Sequence, residues 1–290
     1  MSDLFDQDFF AKLNRLKLAM HMRLDKGMSG ARKSSAKGSS VEFSDFREYI
    51  PGDDIRRIDW NVYGRLDKLF IKQFMEEKEA CYHIFIDTSA SMRYGDKPKS
   101  DMALRIAAVF VWLVQKQLDR VEILTYSGGR LAGTSPITGR GSFSRVLNEL
   151  ENISFDGQTR TNDAIRRANI SGRGVSIIIS DFLDPEGIDE AIKFLIYKKQ
   201  EIMLLQVLSK EELEFDEEGT LTITDMETAE EVRVTMSSQT IKAYHRTLEE
   251  HNRQIERLAK KYGCAYMQIS SDEDIEKVVF DTFKQKGIFG

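Results

Sequence analysis

Five short apolar runs, at residues 82–86, 121–126, 175–179, 202–208 and 265–269, constrain this chain more than any other feature. Each is short for a helix and too continuously apolar for a strand with one wet face, so each reads as a strand covered on both sides. Helical patterns fall among them, at about 102–118, 143–150, 162–168, 185–197, 239–262 and 273–284. Strands alternating with helices predict an α/β fold, a doubly wound, mostly parallel sheet of Rossmann-like type. Ser127-Gly128-Gly129-Arg130 predicts a hairpin turn into a short strand near Leu131 and Ala132. Leu221 and Ile223 alternate on one side of residues 225–228, and Val232 and Val234 on the other. That pattern predicts an inserted β-hairpin at about 219–235.

The N-terminal part is organised differently. Residues 4–24 read as an amphipathic helix, with Phe5, Phe9, Leu13, Leu16 and Met20 near one face. Residues 26–40 are rich in Gly, Ser and Lys and read as a basic linker, so 1–40 is one N-terminal region. Residues 41–79 read as a small β-rich segment, with strand-like runs at 41–49 and 69–75 and a Pro51-Gly52 turn between them. The main domain is then 80–290.

Charge and cysteine content exclude several function classes. A formal net charge of −5 gives no general attraction to nucleic acid or to a membrane surface. The stretch 12–37 is basic and the stretch 211–231 acidic; both read as solvated surface, with a partner contact as the sharper reading. Cys81 and Cys264 each open a strand-like run and are expected to be buried thiols, without disulfide or zinc spacing. The longest apolar stretch, 103–114, contains Arg105 and is too short to span a bilayer. Acidic and aromatic residues open the chain in place of a signal-peptide pattern, so the expected compartment is the cytoplasm.

The residues that carry chemistry lie at strand ends. Asp87-Thr88-Ser89-Ala90-Ser91 follows the first apolar run and puts a carboxylate and two hydroxyls at alternate positions. Asp181 ends the fourth strand of the main domain, after Ile177-Ile178-Ile179-Ser180. In a sheet of order 3-2-1-4-5-6 the first and fourth strands are neighbours and flank the switch point, where ligands bind. Between them Gly157-Gln158-Thr159-Arg160-Thr161 opens a helix and adds the Thr159 hydroxyl to that rim. Such a set of oxygens suits a small hard cation.

Asp-x-Ser-x-Ser, then Gly-x-Thr-x-Thr, then an Asp after an apolar strand, resembles the von Willebrand factor A (VWA) fold and its metal-ion-dependent adhesion site. The resemblance implies Ser89, Ser91 and Thr159 as hydroxyl ligands, with Asp87 and Asp181 acting directly or through water. It implies Mg²⁺ as the ion, with Mn²⁺ or Ca²⁺ as substitutes, and an open position that a partner's carboxylate fills. Many members carry Gly after the last Asp; here that residue is Phe182.

A second signature precedes the site. Arg47-Glu48-Tyr49, Pro51-Gly52-Asp53-Asp54 and Ile58-Asp59-Trp60 follow one another within a few residues. Arg47, Arg56 and Arg57 interleave with Asp53, Asp54 and Asp59, which predicts a paired charge network and argues against a nucleic-acid surface. These elements, in this order, resemble the VWA-like proteins of domain-of-unknown-function family 58, from about Val41 onward. The resemblance implies a bacterial-type, chaperone-like adaptor that works with a MoxR-type AAA+ ATPase on a client protein.

The rival is an enzyme, a metal-dependent hydrolase or phosphatase using the same residues. A haloacid-dehalogenase-type phosphotransferase needs a second Asp where Ser89 stands, and no phosphate-binding loop of the Gly-x-x-x-x-Gly-Lys type occurs. The four histidines, His21, His83, His245 and His251, place no general base beside the serines. A non-enzymatic, metal-dependent protein-binding module is the expectation.

Overall fold

The computed structural model describes residues 9, 12–14, 16, 41–76, 81–117, 119–139 and 142–288. The chain forms two compact units, Asp25–Glu79 and Met1–Leu24 together with Ala80–Gly290.

The smaller unit contains β1 (Val41–Glu48), α1 (Trp60–Leu66) and β2 (Phe70–Glu76), the strands pairing antiparallel with a bulge between Phe43 and Asp45. Its acids fold the stretch between the strands. Arg47 Nη2 donates to Asp53 Oδ1 at 2.8 Å and Oδ2 at 2.9 Å, and the Ile50 amide donates to Oδ2 at 2.9 Å. Asp54 and Asp59 serve as N-caps: Asp54 accepts from the Arg56 amide, and Asp59 from the amides of Asn61 and Val62. Among the described contacts the expected charge network shows the Arg47–Asp53 ion pair, and Asp54 and Asp59 also satisfy amides that each helical turn leaves open.

The larger unit runs β3 (Cys81–Asp87), α2 (Lys99–Lys116), β4 (Arg120–Ser127), β5 (Arg130–Gly133), α3 (Phe143–Glu151), α4 (Thr161–Arg166) and β6 (Gly174–Ser180). It continues with α5 (Asp189–Tyr197), β7 (Gln200–Leu208), α6 (Lys210–Leu213), β8 (Gly219–Thr224), β9 (Glu231–Met236), α7 (Ser238–Tyr262) and β10 (Ala265–Ser270). Last, α8 (Ile275–Lys277) passes through a π-helical turn into α9 (Phe283–Gln285). Six strands form one sheet in the order β10-β7-β6-β3-β4-β5, all parallel except β5, which returns antiparallel on β4. Counted from β3, this is the 3-2-1-4-5-6 order expected of the sequence, and β3 lies directly beside β6.

Both faces of the sheet are covered. On β3, Tyr82, Ile84 and Ile86 join one core with Ile106, Val109 and Phe110 of α2 and with Val279 and Phe283. Phe85 joins the other, with Ile165 of α4, Ile192 and Leu195 of α5 and Ile255 of α7. Each such side chain contributes about 1.5–3 kcal/mol by leaving water. Gly174 opens β6 because a Cβ there would lie 2.3 Å from the Cys81 carbonyl oxygen.

Three expectations need correction. α2 begins at Lys99 rather than Met102, because Lys99 and Ser100 are buried polar residues that the apolar pattern does not register. Cys81 and Cys264 are free but only half-buried, one opening β3 and the other preceding β10, because each sits at the start of its strand rather than within the apolar run. Burial still raises both thiols, Cys264 to about 11. At the N-terminus Phe9, Lys12 and Leu13 are helical, and Phe9, Leu13 and Leu16 are buried against the α2 side of the sheet. Leu16 lies outside the helix; Lys116 of α2 takes the carbonyl oxygens of Asn14 and Leu16. The rest of that expected helix, and the linker 26–40, lie outside the described residues.

The inserted hairpin is present as β8 and β9, paired Leu221 to Val234 and Ile223 to Val232, and it is exposed along most of its length. No helix among the described residues is long and apolar enough to cross a membrane.

Candidate functional site

The parallel pairing of β3 with β6 sets two acids side by side at the carboxyl edge of the sheet. Asp87 is the last residue of β3, and Asp181 follows the last residue of β6; both are fully buried. Asp87 Oδ1 accepts from the Ser89 amide at 3.0 Å, and its Oδ2 accepts from Ser180 Oγ at 2.7 Å. Both donors are neutral, and among the described residues no cationic side chain pairs with this carboxylate. Burial, and then the neighbouring Asp181 charge, push Asp87 up to about 7, against the hydrogen bonds from Ser180 and Ser89.

The hydroxyls form a continuous chain onto Asp181. Ser89 Oγ lies 3.1 Å from Ser91 Oγ, and Ser91 Oγ donates to Asp181 Oδ2 at 2.9 Å. The other Asp181 oxygen accepts from the Leu183 amide at 3.0 Å, and its carbonyl accepts from Gln206 Nε2 at 2.9 Å. Oxygens at these spacings match adjacent corners of an Mg²⁺ octahedron, where ligand distances of about 2.0–2.1 Å at right angles give about 2.9 Å between neighbours.

The loop that carries Thr159 is tied to the same rim by the backbone of Asp156 and Gly157. The Ala90 amide donates to the Gly157 carbonyl at 3.0 Å, and the Asp156 amide donates to the Thr88 carbonyl at 2.8 Å. Gly157 is required in this loop: its φ is +77°, and a Cβ would sit 2.5 Å from Ser127 Oγ. The Thr159 side chain does not join the serine–aspartate chain. Its hydroxyl donates to Glu227 Oε1 at 2.8 Å and its amide to the same atom at 3.1 Å. The structure thus brings Asp87, Ser89, Ser91 and Asp181 into one hydrogen-bonded cluster and sets Thr159 on the adjoining loop.

Four further residues around the candidate site are not evident from the motif alone. Lys99, the first residue of α2, is fully buried with Nζ 2.7 Å from Asp181 Oδ2 and 2.7 Å from Glu212 Oε1. Burial opposes its charge, but Asp181 and Glu212 outweigh burial and raise its pKa. Glu212 is itself fixed by a reciprocal cap, its Oε2 accepting from the Ser209 amide while Ser209 Oγ accepts from the Glu212 amide. Ser180 holds Asp87, and Glu227 holds Thr159. Of these, only Glu212 carried a readable signal, the Ser209-x-x-Glu212 spacing of a capping box after a strand. Lys99 sits in a charged run that resembles ordinary surface, and Glu227 in the acidic stretch.

Phe182, where many VWA-type sequences carry Gly, adopts φ +55°. Its amide donates to Ser180 Oγ at 2.9 Å, its carbonyl pairs with His251 Nε2 at 2.9 Å, and its ring is buried in the core beneath α5 and α7. The rim keeps a left-handed turn without the residue that adopts it most easily.

Of the three carboxylates Asp87, Asp181 and Glu212, the last two share the Lys99 ammonium, and Asp87 has no cationic partner among the described residues. Fully ionised they leave two negative charges, the charge of one divalent cation. Among the described residues, no group of three or more His, Cys, Asp or Glu side chains forms a conventional metal cluster, so hydroxyls would have to supply the remaining ligands.

Comparison with known proteins gives relatives of modest similarity. The uncharacterized protein Rv1480 of Mycobacterium tuberculosis is 25% identical over 280 residues, 94% of this chain and 88% of its own. The uncharacterized protein Mb1516 of Mycobacterium bovis matches to the same extent. Among solved structures, the conserved hypothetical protein BatB from Bacteroides thetaiotaomicron gives a TM-score of 0.45 at 18% identity, over 71% of this chain and 98% of that one. The SpRpn10 VWA domain gives 0.40 at 10% identity, over 68% and 92%. The family described as "Protein of unknown function DUF58" matches residues 45–254, well over half of the sequence, and the chain belongs to that family.

Proposed function

We propose that the carboxyl ends of β3 and β6 hold a divalent cation, Mg²⁺ in the first instance, and that the chain is a protein-binding module engaging a partner's carboxylate there. The observation that carries the reading is the run of oxygens from Ser89 Oγ through Ser91 Oγ to Asp181 Oδ2, spaced 3.1 and 2.9 Å at the switch point. Asp87 supports it as a buried carboxylate whose donors among the described residues are neutral, an arrangement a nearby cation would relieve. Ser89, Ser91 and Thr159 would ligate through hydroxyls, with Asp87 and Asp181 bound directly or through water. The ion would supply an electron-poor position open to an incoming carboxylate.

The residues around the ion favour holding over bond breaking. Among the described residues Asp181 is the acid hydrogen-bonded to Ser91, and the oxygen that takes this bond is already engaged by the Lys99 ammonium. The resemblance to MoxR-associated proteins supplies the partner part of the proposal: an adaptor in the cytoplasm, working with an AAA+ ATPase on a client protein.

Calorimetric titration with Mg²⁺ and Mn²⁺ tests the site. Wild type should bind one ion, and Asp87→Ala and Ser91→Ala should lose binding while circular dichroism remains native. Unchanged affinity in both variants would remove the ion from this site. Affinity purification with Mg²⁺ or with chelator tests the partner, since capture of an AAA+ ATPase should depend on both the ion and Asp87. Phosphate-ester hydrolysis lost in Asp87→Ala would favour the enzyme reading instead.

A further inference from the structure

The acidic hairpin places one carboxylate against the candidate site. Within Asp225–Glu230, the turn between β8 and β9, Glu227 is the only residue that is not exposed. Its Oε1 accepts both the amide and the hydroxyl of Thr159. Its Oε2 receives no hydrogen bond from a described residue. The turn that carries it is fixed by its own bonds. Asp225 Oδ1 accepts from the amides of Glu227 at 2.7 Å and Thr228 at 3.0 Å. The Asp225 amide donates to the Glu230 carbonyl at 2.8 Å, and Ala229 closes the turn at φ +58°. Glu227 is therefore presented by a preset loop.

We propose that Glu227 is an internal ligand, holding in cis the place that a partner's carboxylate takes, so that the β8–β9 hairpin gates the site. The inference rests on the preceding reading that a divalent cation sits among Asp87, Ser89, Ser91, Thr159 and Asp181. A hydroxyl that gives a lone pair to a cation keeps its proton to donate, so the Thr159–Glu227 bond is compatible with ligation by Thr159. One carboxylate oxygen is then anchored on a cation ligand and the other is left to reach the ion. The charge argument runs the same way. Without an ion, Glu227 adds a carboxylate to a rim already rich in them; with an ion, it is attracted. The hairpin is well suited to leave, since an exposed two-stranded ribbon is marginal by itself and its release need not disturb the sheet.

The test uses the full chain and Mn²⁺, whose water-proton relaxivity reports the waters bound to the ion. Glu227→Gln should bind Mn²⁺ about tenfold more weakly and show roughly one more bound water, because a charged ligand is lost. Acetate should lower the relaxivity of Glu227→Gln and leave wild type unchanged, since only the variant's position is open. Amides of 225–230 should become protected from hydrogen exchange on adding Mg²⁺ in wild type alone. Equal Mn²⁺ affinity and relaxivity in wild type and Glu227→Gln, with Asp87→Ala still abolishing binding, would overturn the gate and leave the metal site standing. Absence of Mn²⁺ binding in wild type, or equal binding in Asp87→Ala, would overturn the metal reading and the gate with it.

Discussion

Lys99 Nζ stands 2.7 Å from Asp181 Oδ2, and both side chains are closed off from water. A buried pair of this kind adds little over an apolar pair, but removing one member leaves the other charged and unpaired. Lys99→Met strands Asp181 and Glu212 together. Urea unfolding in chelator should show a loss of about 3–5 kcal/mol. Adding Glu212→Gln to Lys99→Met should recover part of that loss, because the second charge goes with it. A double variant as unstable as Lys99→Met alone would mean that Glu212 is not part of the charge balance.

Asp87 has the opposite environment, with neutral donors and no cationic partner among the described residues. In chelator at pH 8, Asp87→Asn should be at least as stable as wild type, since it removes a buried charge and keeps an oxygen for the Ser89 amide. Mg²⁺ should then raise the melting temperature of wild type and leave Asp87→Asn where it was. A variant markedly less stable than wild type in chelator would show that the ionised carboxylate is already well satisfied.

The contrast between these two acids marks what could be read from the sequence. β3 and β6 are legible because both faces of the sheet are buried, so every residue of Ile84–Phe85–Ile86 and Ile177–Ile178–Ile179 had to be apolar. The strand order alone puts Asp87 beside Asp181, since each acid closes one of two neighbouring parallel strands. Lys99 was not legible: a buried lysine differs from a surface lysine only in its partners, and those come from the end of β6 and from α6. Glu227 was hidden for the same reason, being one acid in an acidic run until the hairpin turn placed it on Thr159. The capping roles of Asp54 and Asp59 were not legible either, since an acid in an interleaved charge run can also satisfy backbone amides.

Phe182 allows backbone strain and core packing to be weighed against each other. Its φ of +55° costs a residue with a Cβ about 1–2 kcal/mol. Its buried ring is worth more, since Phe→Ala in a core costs about 3–5 kcal/mol. Packing wins, so Phe182→Gly should still destabilise, by about 2–4 kcal/mol, after the strain is relieved. Phe182→Ala should be worse than Phe182→Gly by about 1 kcal/mol, because alanine loses the ring and keeps the strain. The reverse ranking in urea unfolding would place the strain elsewhere.

His83 gives the fold a dependence on acid that is separate from the candidate site. Its ring is buried on β3, with Nδ1 3.2 Å from Gln200 Oε1, Cys81 Sγ 3.5 Å from Nε2, and Glu122 3.8 Å away on β4. Burial lowers its pKa below 6.5, against the hydrogen bonds that favour the charged form. The unfolded chain therefore takes up this proton at higher pH than the folded one. The neutral ring costs nothing above the unfolded value, and stability falls as the pH drops through about 6.5 toward the lowered folded value. His83→Gln keeps a polar group of similar reach and removes the titration. Melting curves between pH 8 and pH 5 should fall more steeply for wild type than for His83→Gln, and parallel curves would mean that the imidazole titrates alike in the folded and unfolded chain.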